Sequence, residues 1–326
     1  MSKIIKISKD YIRRSFANKL SEMYMGEIKE YKDFVNIVHK SNVEFIRKNP
    51  HIRVDSFSRV IEEKHGAIRI GTPEELKMIS RIFSAMNMQP VNFYDLTTLK
   101  KPLPIVSTAF RAIDSKSMNI SPFRMFTSML TLDNRKFFSE DQSERAKHAL
   151  SKRNIFSDDL RFLVNQSEQN GGLTAEQAEP FVDEVLKVFQ MDKDQIIDFD
   201  LYEELSKVND VAADIAAFNT IHINHLTPRA YDIYDAFGKI KAQGIPTIDE
   251  MQGPPFRDNE QALPLLNQTS RKAPGEFVYA TNNLQLMQQI KEGKITLDQL
   301  HKQQKIKIIH TKDSEAKENY LKRAKV

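Results

Sequence analysis

Lys64-His-Gly-Ala-Ile-Arg-Ile-Gly-Thr-Pro-Glu-Glu-Leu76 passes from strand to helix within a few residues. Ala67-Ile68-Arg69-Ile70 alternates apolar and polar positions with the two-residue period of a strand. Thr72 is a helix cap, Pro73 suits the first helical position, and Glu75 completes a capping box, which predicts a helix to about Met88. Within the strand His65 and Arg69 share one face, roughly 13 Å apart along its axis. A metal at His65 and a cation at Arg69 would then grip opposite ends of a short dicarboxylate. Taken alone, the pair reads equally as a hydrogen-bonded histidine and a surface arginine.

Outward from this stretch, Ile12, Phe16, Leu20, Met23, Ile28, Tyr31, Phe34, Val35 and Val38 recur in steps of three and four, predicting helix from Asp10 to Arg47. Extended pieces are predicted at Val91–Tyr94, Ile105–Phe110, Phe123–Leu132, Ala217–Leu226, Leu263–Thr269 and Phe277–Ala280. Thr174-Ala-Glu-Gln177 opens a helix through about Phe189. Further helices are expected over Leu201–Val208 and from Pro228 or Arg229 to Ala242, with Gly244 as a C-terminal stop. Helices and strands mix without regular βαβ alternation, so the fold class is α+β. The expected organisation is one catalytic-type domain over 1–300, with an N-terminal helical layer and a helical insertion at about 133–217. A tail over 301–326 follows.

The 326 residues are 40% hydrophobic and 28% charged, which excludes wholesale disorder and collagen-like repeats. No apolar run approaches the ~18 residues of a membrane span, and the first residues show no secretory h-region. The chain has no cysteine, which excludes disulfides, thiolate metal sites and a cysteine nucleophile, and a cytoplasmic location is expected. The net charge is +4, yet His301–Val326 holds eight Lys/Arg against three Asp/Glu, leaving −1 on the rest. The body is therefore not a basic nucleic-acid-binding domain; only the tail suits a polyanion. Glycine is scarce at ten residues, and Gly66, Gly71, Gly244, Gly253 and Gly275 lie in or beside the segments that carry chemistry. None of them builds a phosphate loop.

Among eight histidines, His65, His222 and His225 stand at strands beside other polar groups. In an extended strand His222 and Asn224 share one face while His225 and Thr227 share the other. The two histidines then point apart, one a ligand candidate and the other a support behind it. Arg111 reads as an anion contact or as an ion-pair partner of Asp114.

Six blocks, in order, resemble the 2-oxoadipate dioxygenase/decarboxylase family, also called hydroxyglutarate synthase. They are Lys64–Leu76, Val106-Ser-Thr-Ala-Phe-Arg-Ala-Ile-Asp114, Ser121-Pro-Phe-Arg-Met-Phe-Thr-Ser128, His222-Ile-Asn-His-Leu-Thr-Pro-Arg229, Gly253-Pro-Pro255 and Gln268-Thr-Ser-Arg-Lys-Ala273. The likeness covers roughly residues 52–280 and implies a vicinal-oxygen-chelate-like fold, a curved mixed sheet cupping a metal among helices. It also implies Fe(II), O2 as co-substrate, and conversion of 2-oxoadipate to 2-hydroxyglutarate in lysine breakdown. The family's ligands are two histidines and a glutamate, which fall on His65, on His225 and, downstream, on Glu292, with Gln289 taking the position under another spacing. Arg69 falls at a substrate carboxylate. Gln268, Thr269 and Ser270 are candidate pocket residues, and His222, Asn224 and Thr227 are expected to support the ligands. The C-terminal part of longer members is absent or replaced by the Lys-rich tail.

Two imidazoles and a carboxylate on one face of Fe(II) leave three positions open, enough for a chelating 2-oxo acid and O2. Arginine suits the distal carboxylate because its planar fork makes paired, charge-assisted hydrogen bonds. The expected partners are a small 2-oxo acid and O2, with no membrane. Two further readings stay open: a non-catalytic relative that binds a small acid or a protein because the third ligand is displaced or lost, and polyanion binding through the tail. Nucleic acid has only the tail's charge behind it.

Overall fold

The computed structural model describes residues 5–50, 57–99, 102–191 and 198–247, and the backbone of 277–280 and 307–310. The expected strand at Leu263–Thr269 lies outside the described residues. Two compact units emerge, Met1–Lys29 with Asp55–Pro228, and Glu30–Val54 with Arg229–Val326. In chain order the helices are α1 (Lys9–Glu27), α2 (Tyr31–Lys48), α3 (Phe57–Glu62), α4 (Pro73–Ala85), α5 (Ser115–Ile120), α6 (Glu140–Ser151), α7 (Asp158–Asn170), α8 (Ala175–Phe189), α9 (Phe199–Val208), α10 (Asp210–Ala217) and α11 (Ile233–Ala242). The strands are β1 (Lys64–Ile70), β2 (Gln89–Asp95), β3 (Ile105–Arg111), β4 (Arg124–Leu130), β5 (Ile223–Pro228), β6 (Phe277–Ala280) and β7 (Lys307–His310).

The first unit is built on a five-stranded sheet in the order β2-β3-β4-β1-β5. β1 and β4 run parallel and the other neighbours are antiparallel, so the sheet is mixed and the class α+β, as expected. It is not strongly curled, unlike the curved sheet that the resemblance implies. Residues opposite one another across a ladder share a face. The register His65↔Arg124↔Arg111 and Arg69↔Ser128↔Ser107 therefore gathers His, Arg and Ser side chains on one face. Gly66, Ile68, Ile70, Met125, Thr127 and Phe110 alternate onto the other, where all are buried.

That apolar face is the core. Phe110 packs on Phe83 of α4 (5.0 Å between centroids), Phe83 on Phe189 of α8 (6.3 Å), and Phe16 of α1 meets Phe123 edge-on at 5.6 Å. Burying each ring stabilises the unit by about 1.5–3 kcal/mol. Gly66 permits the close approach of the layers, since a Cβ there would lie 2.9 Å from the Met125 sulfur. α1 is also held through fully buried Arg13, which donates to the carbonyls of Ser117 (2.7 Å), Met86 (2.8 Å) and Ser121 (3.0 Å) and pairs with Asp10. No helix among the described residues is long and apolar enough to cross a membrane.

In the second unit α2 meets the segment before α11. Asn42 donates to the Arg229 carbonyl and accepts from the Tyr231 N–H, both at 2.8 Å, and Phe45 stacks on Tyr231. The backbones of β6 and β7 pair antiparallel.

Several boundaries depart from the periodicity. The predicted Asp10–Arg47 helix is two helices, because Ile28 turns extended and closes α1 just after Gly26, a poor helix former. The expected Ala217–Leu226 strand begins only at Ile223. Asn209 caps the Ala-rich segment Val211-Ala-Ala-Asp-Ile-Ala-Ala217, and Ala is the strongest helix former, so this run belongs to α10. α11 starts at Ile233 rather than Pro228, where Asp232 accepts from the N–H groups of Tyr234 and Asp235. The helix predicted to Met88 ends at Ala85, and Asn87 takes a left-handed conformation at φ 55°.

Candidate active site

β1 presents His65 and Arg69 on the polar face of the sheet, as the strand period predicts. β5 pairs antiparallel beside it, with His65 opposite Thr227 and Ala67 opposite His225. The His65 and His225 rings meet edge to face, 5.5 Å between centroids, and Phe126 closes the other side of His65 at 5.6 Å. This brings together the two histidines expected to hold a metal.

The ladder between β1 and β5 slips by one residue beyond Ala67: Ile68 faces Ile223, not Asn224. Such a bulge inserts one residue and changes which side chains face which way. His222 and His225 were expected to point apart; the bulge puts both on the side of Arg69. His222 Nε2 lies 3.1 Å from Asp214 Oδ1, while Arg69 Nη1 donates to Asp214 Oδ2 at 2.6 Å and Asn224 Nδ2 to the same oxygen at 3.5 Å. Asp214, on α10, is thus the meeting point of Arg69, His222 and Asn224.

Burial pushes the Asp214 carboxyl up, but hydrogen bonds and charge from His222 and Arg69 together outweigh it and hold the pKa below its usual range. His65 is kept neutral. Burial first, then the neighbouring His225 and Arg124, lower its pKa from 6.5 to about 3. Crowding by protein lowers His225 to about 4, with Arg69 adding to the effect. His225 is exposed to solvent, which screens much of its shift, so His65 carries the larger effect. Near neutral pH both rings are free bases, the form that ligates metals.

Neutral burial has a consequence for stability. Between about pH 6.5 and about pH 4 the unfolded chain protonates these imidazoles while the folded chain does not, so metal-free protein should lose stability as pH falls through that window. Urea unfolding at about pH 7.5 and about pH 5 should show a lower midpoint at the acid value, with His65→Gln reducing the difference. Equal midpoints at the two values would contradict the neutral assignment.

The end of β1 is fixed by a second buried cluster. Thr72 Oγ accepts from the Glu75 N–H, but the Glu75 carboxylate reaches past the cap to the Gly71 N–H (2.7 Å), so the reciprocal half of the expected capping box is displaced by one residue. The same carboxylate takes a two-pronged contact from Arg153 at 2.7 and 2.8 Å. Arg153 in turn donates to the carbonyls of Ile215 and Phe218, at the end of the helix that carries Asp214. Gly71 leaves room for this arginine, since a Cβ there would collide with Leu150.

Other expectations resolve differently. Arg111 contacts the Met118 sulfur at 3.6 Å, and Asp114 caps α5 through the Ser117 N–H instead of pairing with it. Arg124, beneath His65, pairs with buried Glu63 at 3.5 Å. The Ser107 and Ser128 hydroxyls bond to each other on the Arg69 side of the sheet. Glu292, Gln268 and Ser270 lie outside the described residues. Among the described residues no group of three His, Asp or Glu is arranged to hold a metal. Sequence reasoning missed Asp214, although a single acid inside Val211–Ala217 is a signal that a buried cation awaits it.

A family model described as 2-oxoadipate dioxygenase/decarboxylase matches residues 16–296. A Mycobacterium tuberculosis 2-oxoadipate dioxygenase/decarboxylase is 39% identical over 277 residues, covering 85% of this chain and 66% of its own length. For the Pseudomonas putida protein of the same name, 39% identity covers 83% of this chain and 58% of the relative. The chain thus spans a little under two thirds of the curated relatives it matches. The crystal structure of hydroxyglutarate synthase from Pseudomonas putida in complex with 2-oxoadipate superposes with a TM-score of 0.70 at 38% identity, over 78% of this chain and 56% of that one. An uncharacterised Shigella flexneri protein gives 0.71 at 35%, over 77% and 60%.

Proposed function

Because the chain belongs to the 2-oxoadipate dioxygenase/decarboxylase family, we propose that it is an Fe(II)-dependent enzyme of the cytoplasm. It converts 2-oxoadipate, or a closely related 2-oxo acid, with O2 to 2-hydroxyglutarate and CO2. Residues 1–300 form the catalytic unit in this reading, and the polar face of the sheet serves as the metal-holding wall of a vicinal-oxygen-chelate-like site. The observation that carries it is the facing pair of neutral imidazoles, His65 and His225, 5.5 Å apart on the sheet face that also bears Arg69.

The donor set suits Fe(II). Two imidazole nitrogens already stand unprotonated, and Glu292 is the proposed carboxylate that completes a two-histidine, one-carboxylate arrangement. Iron held there supplies the redox chemistry with O2 that couples loss of CO2 to hydroxylation of the remaining chain. The protein's own groups bind and orient. Arg69 uses one nitrogen on Asp214, and its other guanidinium N–H groups make no hydrogen bond among the described residues, so they are free for the distal carboxylate of a 2-oxo diacid. Gln268 and Ser270 are proposed to line the same pocket. Phe126 packs on the His65 ring and Arg124 lies beneath it, which limits ring rotation.

Anaerobic loading with Fe(II), followed by oxygen-uptake measurements over a panel of 2-oxo acids, tests the proposal. The expected result is bound iron and 2-oxoadipate-dependent O2 consumption matched by CO2 and 2-hydroxyglutarate. Iron uptake without any 2-oxo acid dependence, or no uptake at all, would turn the reading to a binding protein built on the same scaffold.

A further inference from the structure

We propose that Asp214 is the positioning residue for Arg69, and that the Asp214–Arg69–His222 cluster sets a preference for 2-oxo acids bearing a second carboxylate. The inference rests on the function proposed above for its substrate class, but its structural half stands on the described residues alone.

Asp214 is four-fifths buried and accepts from three side chains on or beside two adjoining strand segments: Arg69 from β1, Asn224 from β5 and His222 just before it. Its two oxygens are divided between them, Oδ2 taking Arg69 and Asn224, Oδ1 taking His222. An arginine on a strand is long and rotamer-rich, and without an anchor its guanidinium samples many positions. With one nitrogen held at 2.6 Å the planar fork samples fewer orientations, and it does so on the sheet face shared with His65 and His225. His222 turns Nε2 toward Asp214, and its buried Nδ1 has no partner among the described residues; the Asn224 Oδ1 is in the same state. Two buried polar atoms without partners beside an anchored guanidinium describe a polar cluster whose hydrogen-bonding capacity exceeds the contacts it already makes. Asp214 is itself fixed from behind, because Arg153 holds the Ile215 and Phe218 carbonyls.

The test compares wild type with Asp214→Asn and Asp214→Glu. Asn keeps the size but puts an NH2 against either Arg69 or His222, both donors, whereas Glu keeps the charge. Anaerobic equilibrium binding to the Fe(II)-loaded protein is measured for 2-oxoadipate and for 2-oxohexanoate, which has the same length and no distal carboxylate. Asp214→Asn should weaken 2-oxoadipate binding about ten-fold or more while changing 2-oxohexanoate little, with a raised KM and unchanged kcat when O2 is admitted, and Asp214→Glu should restore part of it. Arg69→Ala should lose the same preference, and the double variant no more than either single one. Equal weakening of both acids, or an unchanged preference, overturns the proposal.

A second measurement needs no substrate. The guanidinium 15N–1H resonances of Arg69, assigned by their loss in Arg69→Lys, should be distinct in wild type and averaged in Asp214→Asn. An unchanged spectrum overturns the positioning role. Altered resonances in a protein that binds neither acid would keep the positioning role and reject the proposed reaction instead.

Discussion

His65→Ala and His225→Ala should each remove Fe(II) binding and, with it, oxygen uptake dependent on a 2-oxo acid. The two rings face each other at 5.5 Å and both are free bases, so each variant loses a ready nitrogen donor. Loss of a group that merely supports a ligand lowers metal affinity about 10–100-fold, and loss of a ligand itself should exceed that. His222→Ala is the informative contrast. The bulge in β5 brings His222 to the same side of the sheet, but its Nε2 is engaged by Asp214. It should therefore keep iron while weakening substrate binding through Arg69. Metal titration of the three variants under anaerobic conditions checks the assignment; full iron binding by either His65→Ala or His225→Ala would refute it.

Arg153→Ala should be the most destabilising single change near the site. Its side chain is 1% exposed and that of its partner Glu75 is 9% exposed. Truncation leaves the Glu75 carboxylate buried with only the Gly71 N–H, and removes the donors to Ile215 and Phe218. Breaking a buried pair from one side costs about 3–5 kcal/mol, because an uncompensated charge remains. Glu75→Leu with Arg153→Met should be far less harmful than the sum of the single truncations, since no unpaired charge is left behind. Chemical denaturation of the single and double variants measures this. A loss below about 1 kcal/mol in Arg153→Ala would show that the cluster is solvated rather than buried. Because Arg153 ties down the end of α10, the same variant should also reproduce part of the Asp214→Asn weakening of 2-oxoadipate.

The site was legible in the sequence wherever its geometry is local. Strand period alone places His65 and Arg69 on one face, and the β1 register agrees. Thr174 with Gln177 announces α8 as Thr72 announces α4, because caps are satisfied within three residues. Two features were not legible. The slip between Ala67 and Ile68 depends on how β5 fits its neighbour, and no Gly or Pro lies in His222–Thr227 to mark it. Asp214 lies 145 residues from Arg69, and Glu75 lies 78 from Arg153, so only chain closure brings those charges together.

By itself, then, the sequence determined the α+β class, the strand that carries the first histidine and the arginine, and the family blocks that surround them. Periodicity, capping and residue type act over a few positions and need no partner. The tertiary structure decided which histidine meets His65, that His222 turns to the same side, and that a buried aspartate on α10 holds Arg69. Those outcomes come from strand register and from the requirement that buried charges find one another, and neither exists until the sheet has closed on its helices.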